Sequence, residues 1–174
     1  MFDGTQIPCH QVILASRSLY FEALLSHDFK EKEQRVVTFS SATDCVGLDS
    51  FMLMLKLMYS DTTVKIETKH LYDLLSLADR FNVPSIKKKC EHILAQCISV
   101  ENVCNIFKYA NTFNCERLKE TCLLFTEENY QDVISSPGFE DLDKDEILKI
   151  IRMGKPQKPQ GSKPHHNRGM AGMM

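Results

Sequence analysis

The sequence lacks any apolar run close to the roughly 20 residues needed to cross a bilayer, and the segment after Met1 is polar. We therefore predict neither a membrane helix nor a signal peptide. An excess of one charge is also lacking: 21 basic and 23 acidic residues leave a net charge of −2, which argues against a dedicated nucleic-acid binder. Apolar residues make up 43% of the 174 positions, which excludes collagen-like, mucin-like and wholly disordered chains and allows one domain with a small appendage.

Motifs typical of catalysis are missing as well. The chain has no glycine-rich phosphate loop, no G-x-S-x-G element and no carboxylate pair in an acid–base setting. Cys9 and His10 are poor candidates for a nucleophile and base, since neighbours in a strand point to opposite faces. Asp141, Asp143 and Asp145 begin like a calcium loop, but the glycine and glutamate that such a loop needs are absent. We predict no enzyme, no cofactor and no metal site.

The seven cysteines are an odd and fairly high count. Because no N-x-[ST] sequence occurs, we expect a reducing compartment, cytoplasmic or nuclear, in which the thiols stay free. Structural zinc ligands normally come as C-x2-4-C pairs, and none is present. Instead, two series of seven-residue steps return to one helix face after two turns: Cys90, Cys97 and Cys104, then Cys115 and Cys122. This spacing predicts thiols packed on apolar helix faces.

Apolar periodicity predicts a mostly helical chain with short strands. An Asp3-Gly4 turn comes first. The predicted strands are residues 7–10, 36–39 and 62–66, and the predicted helices lie within 12–25 (broken at 16–18), 46–59, 71–78, 86–97, 103–110, 118–125 and 147–151, the last after a Pro137-Gly138 turn. Apolar residues run almost all round the helix at 46–59, which indicates that it is central. In the last helix, we expect Ile147, Leu148 and Ile151 to form the apolar face.

Three consecutive lysines, Lys87, Lys88 and Lys89, lie on the predicted helix at 86–97. They could form a localisation or nucleic-acid patch, but they fall opposite Ile86 and Cys90 on the amphipathic pattern. We therefore favour a solvated helix face.

Residues 153–174 have a different composition from the rest. They hold three of the six prolines, four of the seven glycines and four basic residues against no acidic one. We expect a disordered tail, because such a segment buries too little apolar surface to offset its ordering entropy. Without the tail, 17 of the 21 basic residues and all 23 acidic residues remain, so the body has a net charge of about −6. An acidic body with a basic tail favours a protein-interaction module.

Residues 4–25 closely resemble the signature of the BTB/POZ domain. That family carries His, then Leu four positions on, Ser eight on and Phe eleven on, which here are His10, Leu14, Ser18 and Phe21. Residues 51–60 resemble its central helix, 71–97 its last helical hairpin, and 99–125 the 3-box helix pair that opens a BACK region. The resemblance implies an α+β, mostly helical fold: a BTB/POZ domain over 1–98, with helices flanked by a short β-sheet, then a 3-box and partial BACK region over 99–152.

The resemblance also implies a function in protein binding. BTB domains self-associate, and one large subgroup docks a cullin-3 scaffold as substrate adaptors of a ubiquitin ligase. That subgroup carries a hydrophobic-x-Glu motif in the loop before its third strand, which Phe29 and Glu31 supply here. Tyr59 closes the central helix near the same surface in the family. We therefore expect these three residues to contact the cullin, with an unknown ubiquitination substrate as a further partner.

Two departures from the family pattern leave alternatives open. The family's first strand is missing before the Asp3-Gly4 turn, so we expect an unpaired edge along residues 7–10, and either a fragment of a longer chain or an impaired homodimer. No substrate-recognition domain follows the BACK-like part, so we expect a receptor upstream or in a partner. The alternative function is a self-associating BTB scaffold or a transcription-linked protein that does not bind cullin. With either function we expect no nucleic-acid or membrane partner.

Overall fold

The computed structural model describes residues 1–26, 36–40, 47–60 and 66–153. Within these ranges the protein is mostly helical, as predicted. In chain order the helices are α1 (Gln11–Arg17), α2 (Leu19–Ser26), α3 (Leu48–Tyr59), α4 (Thr68–Arg80), α5 (Pro84–Gln96), α6 (Val103–Thr112), α7 (Glu116–Glu128), α8 (Tyr130–Ile134), α9 (Pro137–Glu140) and α10 (Lys144–Met153). None of these described helices is long and apolar enough to cross a membrane.

The amino terminus forms a tight turn. Phe2 and Thr5 exchange backbone hydrogen bonds of 2.9 and 2.8 Å around Asp3 and Gly4, whose φ angles are 45° and 79°. Two central residues with positive φ are typical of a two-residue hairpin turn. The predicted Asp3-Gly4 turn is therefore confirmed.

The predicted β-sheet is not shown in the described residues, which form only isolated bridges from Phe2 to Thr5 and to Phe39. The strand prediction over 36–39 is thus met only at Phe39, and the strand over 7–10 is wrong. Pro8 has no amide hydrogen, and the amide of His10 bonds to a side chain instead of a neighbouring strand. Most of the strand predicted at 62–66 lies outside the described residues.

A cluster of aromatic rings fills the core where the amino-terminal turn meets α2, α3 and α4. Its members have ring centroids 5.0 to 6.3 Å apart in several pairs: Phe2, Phe21, Phe39, Phe51 and Phe81. Helix α3 buries residues on several sides, as its apolar pattern predicts. The aromatic cluster therefore joins elements that are far apart in the chain into one core.

Helices α4 and α5 form one hairpin, and α6 and α7 form a second that packs against it through α5 and α7. The predicted apolar faces are buried in both hairpins, except that Ile93 and Phe125 are only partly buried and Cys97 is exposed. Pro84 opens α5, where its missing amide hydrogen costs nothing. Four of the five cysteines with seven-residue spacing are buried, and Cys97, which follows the end of α5, is exposed.

Helices α9 and α10 each correct one prediction about the carboxy-terminal part. The Pro137-Gly138 turn is the short helix α9. The predicted apolar face of α10 is right only for Ile147, which is partly buried against the core. Leu148 and Ile151 are 38% and 48% exposed, and Ile150 is buried instead. The buried side instead runs through Glu146 and Ile150, one turn apart, and Glu146 Oε1 accepts a hydrogen bond from the Asn111 side chain at 3.3 Å. A capping box begins the helix: Asp143 Oδ1 accepts the Glu146 amide hydrogen, and Glu146 Oε2 accepts that of Asp143.

Candidate partner-binding surface

Of the three residues predicted to contact a partner, the structure describes one. Phe29 and Glu31 lie outside the described residues. Tyr59 is the last residue of α3 and is 40% exposed. The proximity of the three side chains therefore stays a prediction.

Tyr59 holds the start of α1 against the end of α3. Its hydroxyl oxygen accepts the backbone N–H of His10 at 2.6 Å and lies 3.1 Å from His10 Nδ1. His10 occupies the position before the first residue of α1, so this bond satisfies an amide at a helix start. Burial raises the pKa of the neighbouring Cys9 thiol, and a hydrogen bond with Tyr59 partly offsets that rise. Part of the Tyr59 ring remains open to a partner while its hydroxyl has a structural role.

The rest of the sequence signature is structural. Ser18 ends α1 and precedes α2; its buried hydroxyl donates to the Phe81 carbonyl and accepts the Phe21 amide hydrogen at 3.1 Å. The rings of Phe21 and Phe81 stack with centroids 5.4 Å apart. The predicted break between the two helices is confirmed, and it anchors α2 to the turn between α4 and α5.

A groove of about 460 Å³ opens beside the β-bridges. Its apolar walls include Ile7, Leu25 and Val37, and Phe21 and Phe39 contribute aromatic surface. The groove runs along the segment where the sequence predicts an unpaired strand edge. It is an apolar surface next to the aromatic core.

A serine, a histidine and an aspartate meet between α3 and α4, but their geometry differs from a catalytic triad. The Ser50 hydroxyl donates to Asp73 Oδ2 at 2.8 Å and lies 3.0 Å from His70 Nδ1. In a triad, the carboxylate orients the histidine, and the serine is open to substrate. Here both partners hold a serine that is 2% exposed. The group links two helices.

The lysine run is only partly a solvated face. Lys88 is exposed as predicted, Lys89 is only partly exposed, and the prediction is wrong for Lys87. Its Nζ donates to Asp79 Oδ1 at 2.6 Å and to the Phe113 carbonyl at 2.5 Å, and its side chain is 23% exposed. One feature of the sequence indicated such a contact: Lys87 lies in the first turn of α5, where the helix dipole disfavours a cation unless another interaction compensates. Sequence reasoning missed this contact.

The buried thiols are poor nucleophiles and metal ligands. Burial raises the pKa of Cys90 and of Cys122 to about 12 and that of Cys115 to about 11. Reactivity and metal binding both need the thiolate, which such burial disfavours. Within the described residues, no three His, Cys, Asp or Glu side chains are grouped so as to hold a metal ion. The six described cysteines are free thiols.

Two family models match the chain: the BTB/POZ domain over residues 1–98 and BACK, "BTB And C-terminal Kelch", over residues 103–159. BTB/POZ domain-containing protein 9 is 32% identical over 152 residues in Drosophila melanogaster and 31% over 151 in Homo sapiens. Kelch-like protein 24 of Rattus norvegicus is 26% identical over 149 residues. Each match covers 86% of this chain but only 20% to 24% of the relative.

These families are protein-interaction modules without catalysis of their own, which agrees with the interaction module that the charge distribution predicts. The domain boundaries at 98 and 152 stay predictions. The BTB/POZ model alone spans more than half of the chain, and the BACK model begins at residue 103, shortly after it. The chain belongs to the BTB/POZ domain family and carries a BACK region after its BTB domain.

Proposed function

We propose that this protein is a substrate adaptor that docks a cullin-3 scaffold in a ubiquitin ligase. The observation that carries the proposal is the direct packing of the α6–α7 hairpin on the last BTB hairpin, α4–α5. A partner that contacts the BTB domain therefore meets a continuous helical surface that extends into the BACK region. The Kelch-like relative supports the same class of protein.

Phe29, Glu31 and Tyr59 are the proposed contact residues. An aromatic side chain that enters a pocket of the partner contributes a large share of the binding energy, and a nearby carboxylate fixes the register and rejects wrong partners. The exposed part of the Tyr59 ring adds a rigid apolar contact whose position is set by the bond to His10. Six free thiols suit a reducing compartment, so we propose the cytoplasm or nucleus as the location.

Titration calorimetry with the amino-terminal domain of cullin-3 tests the proposal. We expect micromolar or tighter binding by the full chain. For Phe29→Ala we expect a loss of about 30-fold or more, which corresponds to about 2 kcal/mol at a hot spot. Its melting temperature should stay within about 2 °C of the wild type, since a partner anchor contributes little to the core.

Ile151→Ala is the control, because it truncates an apolar side chain of α10 that is 48% exposed. We expect wild-type affinity for this variant. A Phe29→Ala variant that melts several degrees lower and binds normally would show a core role for Phe29. If the wild-type chain does not bind cullin-3, the result supports the alternative function, a self-associating scaffold. Sedimentation velocity would then test for a homodimer.

A further inference from the structure

The last BTB hairpin and the first BACK hairpin are two copies of one sequence pattern. Residues of α4–α5 recur in α6–α7 at a constant spacing of 32 positions. The matched pairs are Ala78 and Ala110, Phe81 and Phe113, Asn82 and Asn114, Ile86 and Leu118, Lys87 and Lys119, and Cys90 and Cys122. Both members of the alanine, the aliphatic and the cysteine pair are buried. The spacing thus relates two whole helix–turn–helix units.

The turns of the two hairpins have the same conformation. Asn82 and Asn114 have φ angles of 48° and 52°, in the left-handed region that asparagine tolerates better than most residues. The amide of the next residue donates to the alanine carbonyl five positions back at 2.8 Å in both cases. The two units are therefore equivalent in backbone as well as in sequence.

The paired lysines are where the two units differ. Lys119 pairs with Glu116 of its own helix at 2.8 Å. Lys87 instead bonds to Asp79 of its own hairpin and to the Phe113 carbonyl, which belongs to the turn of the second hairpin. Lys119 therefore bonds only within its own hairpin in the second unit, whereas Lys87, at the equivalent position in the first unit, connects the two hairpins.

The surroundings of Lys87 favour its contact with the second hairpin. The Phe113 carbonyl follows the end of α6, where the helix dipole is negative, so it is a favourable acceptor for an ammonium group. Asp79 balances the charge, and the side chain of Lys87 is largely withdrawn from solvent. A second contact between the units lies at Tyr72 and Tyr109, whose rings are 4.6 Å apart.

We propose that Lys87 is a positioning residue that fixes the orientation of the first BACK hairpin on the last BTB hairpin. The inference rests on the proposed function in one respect: a scaffold that contacts both hairpins binds well only when their relative orientation is set. The orientation itself can be measured without any partner.

The experiment measures the distance between the hairpins by double electron–electron resonance. Spin labels are placed at Lys88→Cys and Glu120→Cys, which are exposed and occupy equivalent positions in the two units. Cys9, Cys45 and Cys97 are replaced by serine, and the buried thiols stay unlabelled at neutral pH. Lys87→Met is compared with Lys119→Met, its matched control, and with Lys87→Arg, which restores the charge.

We expect Lys87→Met to broaden the distance distribution at least twofold, Lys119→Met to leave it unchanged and Lys87→Arg to restore most of its sharpness. An unchanged distribution in Lys87→Met would overturn the proposal, whatever its melting temperature. If Lys87→Met does not fold, Asp79→Asn decides the matter: broadening supports the proposal and a wild-type distribution refutes it.

Cullin-3 binding separates this inference from the proposed function. For Lys87→Met we expect about a tenfold loss of affinity, and normal affinity would refute the link between orientation and docking. If the wild-type chain does not bind cullin-3 while Lys87→Met broadens the distribution, the proposed function fails and the positioning role stands.

Discussion

Phe81 is the residue whose truncation should damage the core most. It lies in the turn after α4 and is 2% exposed. Among the described residues it has four aromatic neighbours, with ring centroids 5.1 to 5.9 Å from its own: Tyr20, Phe21, Phe39 and Phe51. The carbonyl of Phe81 bonds to Ser18, but Phe81→Ala keeps that carbonyl. The substitution therefore tests the ring alone.

Replacing a buried phenylalanine with alanine costs about 3–5 kcal/mol, through lost transfer energy and the cavity that remains. We place Phe81→Ala in the upper half of this range, because aromatic pairs add about 0.5–1.5 kcal/mol beyond the buried area. For a chain of this size, about 4 kcal/mol lowers the melting temperature by about 8–16 °C. Urea unfolding followed by circular dichroism gives the free energy, and calorimetry gives the melting temperature.

Phe113→Ala is the matched control, since Phe113 occupies the equivalent turn of the second hairpin. Its ring is half-buried, and its one aromatic neighbour in the described structure is Tyr109, at 6.1 Å. We expect less than half the cost of Phe81→Ala. Equal costs, or a loss below about 1.5 kcal/mol for Phe81→Ala, would refute the account of the aromatic cluster.

Two further predictions concern titration and capping. Burial raises the pKa of Cys90 and Cys122 from 9.0 to about 12, so their stabilising contribution is complete below pH 9 and is lost as the pH rises towards 12. At pH 10 we expect the free energy of unfolding to be lower by about 1.4 kcal/mol per thiol, measured by urea unfolding at pH 8 and pH 10. The same pH dependence in a variant that carries both Cys90→Ala and Cys122→Ala would contradict this. Asp143→Ala should lower the free energy of unfolding by about 1 kcal/mol and reduce amide exchange protection in α10. Asp141→Ala, which changes an exposed neighbour, should lower it by less than about 0.5 kcal/mol. Equal effects of the two substitutions would count against the capping box.

The helices could be predicted from the sequence because their information is local. Apolar residues three and four positions apart mark the buried faces of α4 to α7, and Pro84 marks a helix start. The bridge between Phe2 and Phe39 joins residues 37 positions apart, and no local pattern encodes such a pairing. In α10, the buried side includes the carboxylate of Glu146, which accepts a hydrogen bond from Asn111 35 positions away, so the apolar pattern alone does not mark that side.

The candidate site shows the same limit. The Phe29 and Glu31 motif comes from family resemblance and stays a prediction. The bond between Tyr59 and His10 spans 49 positions, and that between Lys87 and Phe113 spans 26. Both join residues that are ordinary in their local context, so their roles are visible only after folding.

The packing of α5 on α7 has a practical consequence for anyone who cuts the chain at the family boundary. A fragment that ends at Ile98 would expose the face of α5 that now meets the second hairpin, including the buried thiol of Cys90. Lys87 would lose the carbonyl that accepts its hydrogen bond, and Tyr72 would lose the neighbouring ring of Tyr109. Such a fragment should aggregate, because the boundary between the two families divides one hydrophobic interface and leaves the apolar face of α5 exposed to solvent.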